Sequence, residues 1–254
     1  MAAELRALIF DADDPAALAS FWGALLGWDR DRTAGEPANH GGVELVPTEP
    51  TGFRLRFEPA RSPKVVRNRL HLHLTSSSDA DQNSVVERAL GLGARHLDVG
   101  QLPEEGHVVL EDPEGNDFCV LAPGNRFLAE CGFLAEVTCD GTRAVGQFWS
   151  AALGWPLVWD QDEETSIRPP GGSTNISWGG PPVEPKVGPN RQRLELVAGD
   201  VGLRAEVDRL LSLGATRLGD ECLDVAPTGH VRLLLADPDG YELVLCGAPA
   251  SGAG

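Results

Sequence analysis

The sequence predicts an α+β protein of two tandem repeats, each folded from two βαβββ modules. Three observations predict it. The stretch FWGALLGW from Phe21 to Trp28 returns as FWSAALGW from Phe148 to Trp155, 127 residues further on. The chain's two lysines, Lys64 and Lys186, sit in PKVVRNR and PKVGPNR, an offset of 122. The DPEG beginning at Asp112 returns as the DPDG beginning at Asp237, an offset of 125. Offsets that drift this little mean a tandem duplication with small loop insertions, so fold and function are read per repeat.

Repeat one opens with LRALIF, Leu5 to Phe10, a short strand. Asp14 then offers an N-cap, with Pro15 at the first helical position where its missing N–H is harmless. Leu18, Phe21, Trp22 and Leu25 form one apolar helical stripe, and Gly27 supplies a left-handed stop. Repeat two keeps the phase with Val145, Phe148, Trp149 and Ala152, closed by Gly154. These Phe-Trp pairs read as core, packing a helix on a sheet. GGVELV around Glu44 and FRLRFE from Phe53 to Glu58 read as strands, followed by the lysine loop. RLHLHL from Arg69 to Leu74 is the cleanest period-two run in the chain. A second helix is expected over Ser84 to Leu92 with Gly93 as its stop, matched by Leu203 to Leu213 with Gly214. HVVLE before the DPEG turn and DFCVL after it close the repeat as strands. The boundaries that follow are 1–123 for the first domain, 124–131 for a short linker, 132–248 for the second domain and 249–254 for a flexible tail.

Bulk properties narrow the function. The net charge of −17 and the absence of a basic cluster would repel a polyanion, which argues against nucleic acid and anionic membrane surfaces. No apolar run approaches the roughly 20 residues of a membrane span, and MAAELRALIF lacks the features of a signal peptide, so a cytoplasmic location is expected. Five cysteines, Cys119, Cys131, Cys139, Cys222 and Cys246, are odd in number and form no CxxC pair, so reduced thiols are expected.

Paired βαβββ modules, the LGW ending of the first helix, the K..NR loop before a strand of alternating histidines, the LGA stop at Leu92 to Ala94 and Leu213 to Ala215, and the DPEGN turn together resemble the vicinal oxygen chelate superfamily, and within it the glyoxalase-like domain proteins. The resemblance covers nearly the whole chain. It implies sheets that curl around a cavity. That superfamily includes metal-dependent isomerases, lyases, epimerases and extradiol dioxygenases, and also metal-free proteins that bind and sequester drugs such as bleomycin. A shared scaffold does not choose among them.

The resemblance implies a ligand position on the first strand and another on the last strand of modules, and in each repeat the residue there decides whether a metal is held. The first-strand position falls near Ala7 and Leu134, neither of which ligates a metal. The second-module position falls at His71 and Arg193, and the last-strand position at Cys119 and Val244. Repeat two thus reads as metal-free, and the facial triad of an extradiol dioxygenase is absent. In repeat one a divalent metal would rest on His71 and Glu58, with Cys119 as a thiolate ligand at most. No cofactor is the main expectation. If Leu70, Leu72 and Leu74 face the helices, His71 and His73 share the other face, where they would act as acid and base or bind a polar ligand. On the equivalent face of repeat two, Arg193 and Glu195 read as an ion pair with each other, filling a cavity or holding an anionic ligand group. His107 is a further rim candidate with His230 as its loose counterpart, Trp159 and Trp178 are candidates to line an aromatic pocket, and Asn68 and Asn190 are expected to bond backbone in the module crossovers.

Two functions compete. One is a metal-independent binding protein for a small apolar or aromatic molecule, serving sequestration, delivery or resistance. The other is a lyase or isomerase of glyoxalase type in the first domain, using a metal on His71 and Glu58 or His71 and His73 as acid and base. The partner in either case is a small molecule, and the protein is a monomer with pseudo-dimeric domains or a homodimer.

Overall fold

A computed structural model describes residues 3–31, 42–102, 105–183, 185–219, 224–225 and 231–247. His230, Cys222 and the tail 249–254 lie outside them. The chain runs β1 (Glu4–Ala12), α1 (Pro15–Leu26), β2 (Asp29–Arg30), β3 (Val43–Val46) and β4 (Arg54–Pro59) in the first module. The second holds β5 (Leu70–Leu74), α2 (Asp79–Gly91), β6 (Arg95–His96), β7 (Val108–Glu111) and β8 (Asp117–Val120). The third holds β9 (Leu134–Cys139), α3 (Arg143–Leu153), β10 (Leu157–Gln161), β11 (Glu164–Ile167) and β12 (Asn175–Trp178). The fourth holds β13 (Gln192–Val197), α4 (Leu203–Ser212), β14 (Thr216–Arg217), β15 (Asp224–Val225), β16 (Val231–Ala236) and β17 (Glu242–Gly247). The βαβββ order therefore recurs in all four modules, with the two-residue β15 added in the fourth.

The sheets do not follow the repeats. One sheet has the order β14-β16-β17-β13-β1-β4-β3-β2, with β15 beside β16, and joins the first module to the fourth. The other, β10-β11-β12-β9-β5-β8-β7-β6, joins the second to the third. The seams are antiparallel, β1 on β13 and β5 on β9, while the first and last strands of every module pair in parallel. The sheet of the first and fourth modules, the outer ones along the chain and hence the outer sheet, takes four strands from repeat one and five from repeat two, and the inner sheet, of the second and third modules, takes four from each.

The motifs that revealed the duplication tie the two sheets together. Trp22 of α1 donates its indole N–H to Asp112 in the DPEG turn of the next module at 3.0 Å, and Trp149 of α3 donates to Asp237 of the DPDG turn at 3.1 Å. Phe21 and Trp22 meet Phe118 of β8 edge-on, at centroid distances of 6.1 and 5.1 Å. The acid that follows in each turn caps the helix start: Glu114 accepts from the backbone N–H groups of Asp13 and Asp14, and Asp239 from that of Thr142. The lysine loops dock on the same turns, with Lys64 donating to the Gly115 carbonyl and Lys186 to Glu242 at 2.6 Å. One apolar core runs beneath all four helices and both sheets.

Helix α1 begins and ends as its sequence dictates. The Asp14 carboxylate accepts from the N–H groups of Ala16 and Ala17, Pro15 follows it, and Gly27 closes the helix at φ 72°. Helix α2 starts at Asp79, before the expected Ser84, because its polar first turn is capped by Ser78 and carries no apolar stripe to read. Two crossover expectations need correction. The Asn68 side chain donates to the Asn116 side chain, and at Asn190 it is the backbone N–H that bonds, to Glu242. Cys119, Cys131, Cys139 and Cys246 are free thiols.

Candidate functional site

Alternation along β5 sorts its side chains as expected. Leu70, Leu72 and Leu74 enter the helix-side core, while His71 and His73 lie half-buried on the face turned away from the helices. Strand β8 runs parallel to β5 and sets Cys119 opposite His73, and β9 runs antiparallel on the other side and sets Glu136 opposite His73 and Thr138 opposite His71. The donor atoms of His71, His73 and Cys119 all lie within 4.8 Å of one another. The rings of His71 and His73 are 4.8 Å apart, tilted by 59°.

Glu136 organises this cluster. One carboxylate oxygen lies 2.7 Å from His73 Nδ1, and the other accepts from the Ser177 hydroxyl of β12 at 2.5 Å. Thr138 Oγ1 stands 3.3 Å from the same histidine nitrogen. Burial opposes charge on both members of the pair, but the hydrogen bonds and the opposite charge win. A hydrogen bond with Cys119, followed by the hydrogen bond and charge of Glu136, pushes the His73 pKa up to about 9, and the pairing with His73 holds Glu136 below the usual carboxylate range. Burial and the neighbouring His73 cation push His71 the other way, down to about 4. At neutral pH one imidazole is thus a cation paired with a carboxylate and its neighbour is neutral. With Nδ1 of His73 committed to Glu136, proton donation falls to Nε2, and His71 is the acceptor.

Apolar surface adjoins the cluster. Val109, Cys119, Leu121, Leu128 and Ala135 are buried together on this face, with Phe127 and Cys131 packed against them. Leu128, Phe127 and Cys131 come from the linker, which folds across the sheet with its turn fixed by the Asn125 side chain. Trp159 of β10 meets Phe127 edge-on at 5.5 Å.

The outer sheet presents a different chemistry at the equivalent place. Arg56 of β4 donates to Glu195 of β13 at 2.8 Å and to Glu44 of β3 at 2.7 Å, and Arg232 of β16 lies 2.9 Å from Glu58 and 3.5 Å from Glu195. The Cys246 thiol donates to Glu195, and burial pushes its pKa up to about 12. Arg193 pairs with both carboxylate oxygens of Asp11. Buried charges that satisfy one another in this way occupy the face with the protein's own side chains.

Several expectations are corrected by these positions. Arg193 and Glu195 do not pair with each other, since the alternation of β13 sets them along the strand and each finds a closer partner across it. His71 and Glu58 do not share a metal site, because β5 and β4 belong to different sheets. Trp178 lines no pocket on the open face: its ring stacks on Trp149 at 6.4 Å in the helix-side core. The cluster is not confined to the first domain, since Glu136, Thr138 and Ser177 come from the second repeat. His107 precedes β7 at the rim, half-buried, with Nδ1 3.3 Å from the Glu105 carbonyl.

Sequence reasoning missed Glu136. Counting from the Phe-Trp pair pointed to Leu134, but β9 lies two residues closer to its helix than β1 does, so the residue opposite His73 is Glu136, and Leu134 enters the helix-side core. The polar residues of LAEVTC, Glu136 and Thr138, alternate with Val137 and Cys139, and that period-two signal points to them.

The family profile described as a glyoxalase-like domain matches residues 7–121 and again 135–246. Among solved structures, glyoxalase I from Zea mays is 15% identical with a TM-score of 0.62, the match covering 96% of this chain and 92% of that one. A point mutant of the same maize protein is 13% identical with a TM-score of 0.64, over 96% and 92% of the two chains. At these identities the likeness is one of fold. No curated protein matches the sequence.

Proposed function

Because the chain belongs to the glyoxalase-like domain family of the vicinal oxygen chelate superfamily, one matched segment in each repeat, we propose that it binds a small molecule on the open face of the inner sheet, without a metal. The ligand has an apolar or aromatic body and a carbonyl or anionic group. The body rests against Val109, Leu121 and Phe127, and the polar group faces His71 and His73. One observation carries the reading. Of two adjacent imidazoles, His73 is held charged with a buried carboxylate against it and His71 is held neutral by burial and by its charged neighbour, which sets a donor and an acceptor side by side. Such a pair suits recognition of a polar group, and also proton transfer on a bound substrate. A thermal-shift screen against aromatic natural products, followed by calorimetry, tests it. The expected result is a binder whose affinity falls at least about tenfold, or ~1.4 kcal/mol, in His73→Ala and in His71→Ala. Absence of any binder across a broad panel counts against the reading.

A second reading rests on a separate observation, the convergence of the His71, His73 and Cys119 donor atoms. Two imidazoles and a thiolate fit the preferences of Zn²⁺, and a bound ion would supply Lewis-acid chemistry for a lyase or isomerase. Elemental analysis after metal-supplemented expression decides. About one equivalent, lost in Cys119→Ser, favours the enzyme, and less than about a tenth of an equivalent favours the metal-free protein.

A further inference from the structure

The two lysine loops face each other across a cleft of about 560 Å³, a volume suited to a small organic ligand. This cleft lies at the junction of the two sheets, between Lys64 to Arg69 of one repeat and Pro185 to Gln192 of the other; Arg69 stands two residues before His71, but neither histidine of the cluster is among its lining residues. Its composition runs against that of the whole molecule. In a chain of net charge −17, Lys64, Arg67, Arg69 and Arg191 line it, and among the described lining residues Asp140 is the one acid.

Duplication gives the cleft an internal control. Arg191 and Arg69 occupy equivalent places in the two loops. Arg191 is saturated: its guanidinium donates to the Asp11 carbonyl at 2.8 Å and to Asp13 at 3.0 Å. Arg69 is not. Its side chain is 9% exposed, Asp140 stands 3.9 Å from its Nε, and both Nε and Nη2 are buried without a hydrogen-bond partner. Beside it Gln192, 1% exposed, leaves both Oε1 and Nε2 unpaired, and Asn190 leaves Nδ2 unpaired. Buried donors without partners each cost about 1–3 kcal/mol, and here they gather under one cleft. Above them, Val65, Val66 and Val187 are 69%, 43% and 55% exposed, an apolar rim on both loops.

We propose that this cleft is a second ligand site, which takes a small carboxylate with an apolar body. The carboxylate is received by Arg69 and by the amides of Gln192 and Asn190, which reach it by rotation of their terminal torsions. The apolar body lies between Val65, Val66 and Val187. Guanidinium and amide donors together match a planar two-oxygen anion, and the valines shield that pairing from water.

Calorimetric titration with 2-naphthoate, and with its methyl ester as the neutral control, tests the site on the full chain. The acid is expected to bind and the ester to bind at least tenfold more weakly. Arg69→Gln and Gln192→Leu should each weaken the acid at least tenfold, and Arg69→Gln should do so equally in a His73→Ala background, which separates this site from the histidine cluster. Val187→Glu, on the exposed rim, should also weaken the acid with the fold intact by circular dichroism. Equal binding of acid and ester, loss of binding in His73→Ala with none in Arg69→Gln, or no binding at all would each overturn the proposal. So would a dimer in sedimentation that Val187→Glu dissociates while 2-naphthoate leaves it unaffected, since the valines would then serve a second copy of the chain.

Discussion

At the scale of single residues, Glu136 decides the character of the inner site, and its effect is measurable through pH. His73 has its pKa raised from an ordinary 6.5 to about 9, so the stability it contributes is complete below 6.5 and is lost as pH rises through 9. His71 is depressed to about 4, so its neutral form contributes above 6.5 and that contribution is lost as pH falls toward 4. The contribution of these two histidines together is greatest near pH 6.5. Glu136→Gln should shorten the alkaline limb between 6.5 and 9 in denaturant titrations and lower the midpoint of the His73 ring resonance from about 9. A midpoint that stays near 9 in the variant would show that Glu136 is not what holds the proton. The histidines were legible in the sequence because alternation in RLHLHL fixes their face. Their partner was missed because the count from the Phe-Trp pair landed on Leu134, two residues short of Glu136, although the alternation of LAEVTC carries the signal.

At the scale of elements, caps and stripes were legible because they are short-range. Asp14, Pro15 and Gly27 bound α1 through contacts within a turn, and the Phe-Trp stripe fixes the face it buries. The two-residue strands β2, β6, β14 and β15 have no periodicity to read and exist only through their neighbours. The repeated Phe-Trp and DP motifs were rightly read as scaffold, yet their bond to each other spans 90 residues and emerges only in three dimensions. It predicts an energetic link between modules. The Asp112 carboxylate, fully buried and with burial pushing its pKa up, receives the Trp22 N–H, the Asn116 side chain and two backbone N–H groups. Trp22→Phe deletes one of these donors inside the core. A loss of about 1–3 kcal/mol in unfolding free energy is expected, with a similar loss for Trp149→Phe, both read from denaturant midpoints. A variant within 0.3 kcal/mol of the parent would mean that water replaces the indole.

At the scale of the whole molecule, sequence repeats and structural sheets partition the chain differently. Helix clasps join modules within a repeat, whereas strand seams join modules across repeats, so neither half is complete alone. Expressed separately, residues 1–123 would leave β1 and β5 without their antiparallel partners, exposing two long edges. The expected outcome is aggregation or self-association of that half, and recovery of a 1:1 complex when it is co-expressed with residues 124–254, read by light scattering after gel filtration. A stable folded monomer of residues 1–123 would contradict the seam. Pairing across repeats was not legible because the motifs repeat faithfully in both halves and carry no label for which copy they join. What distinguishes the two faces is a handful of side chains: Arg56, Glu195 and Arg232 fill one, and His71, His73 and Glu136 line the other.

The two seams also differ in how long the ribosome makes them wait. His73 meets Glu136 across the inner seam only 63 residues later, whereas Asp11 meets Arg191 across the outer seam 180 residues later. At about 5–20 residues per second, the edge of β1 stays bare for roughly 9 to 36 s of synthesis. Loop closure favours the shorter connection, so the inner sheet and its histidine cluster assemble first, and the nascent chain is most in need of protection at its own beginning.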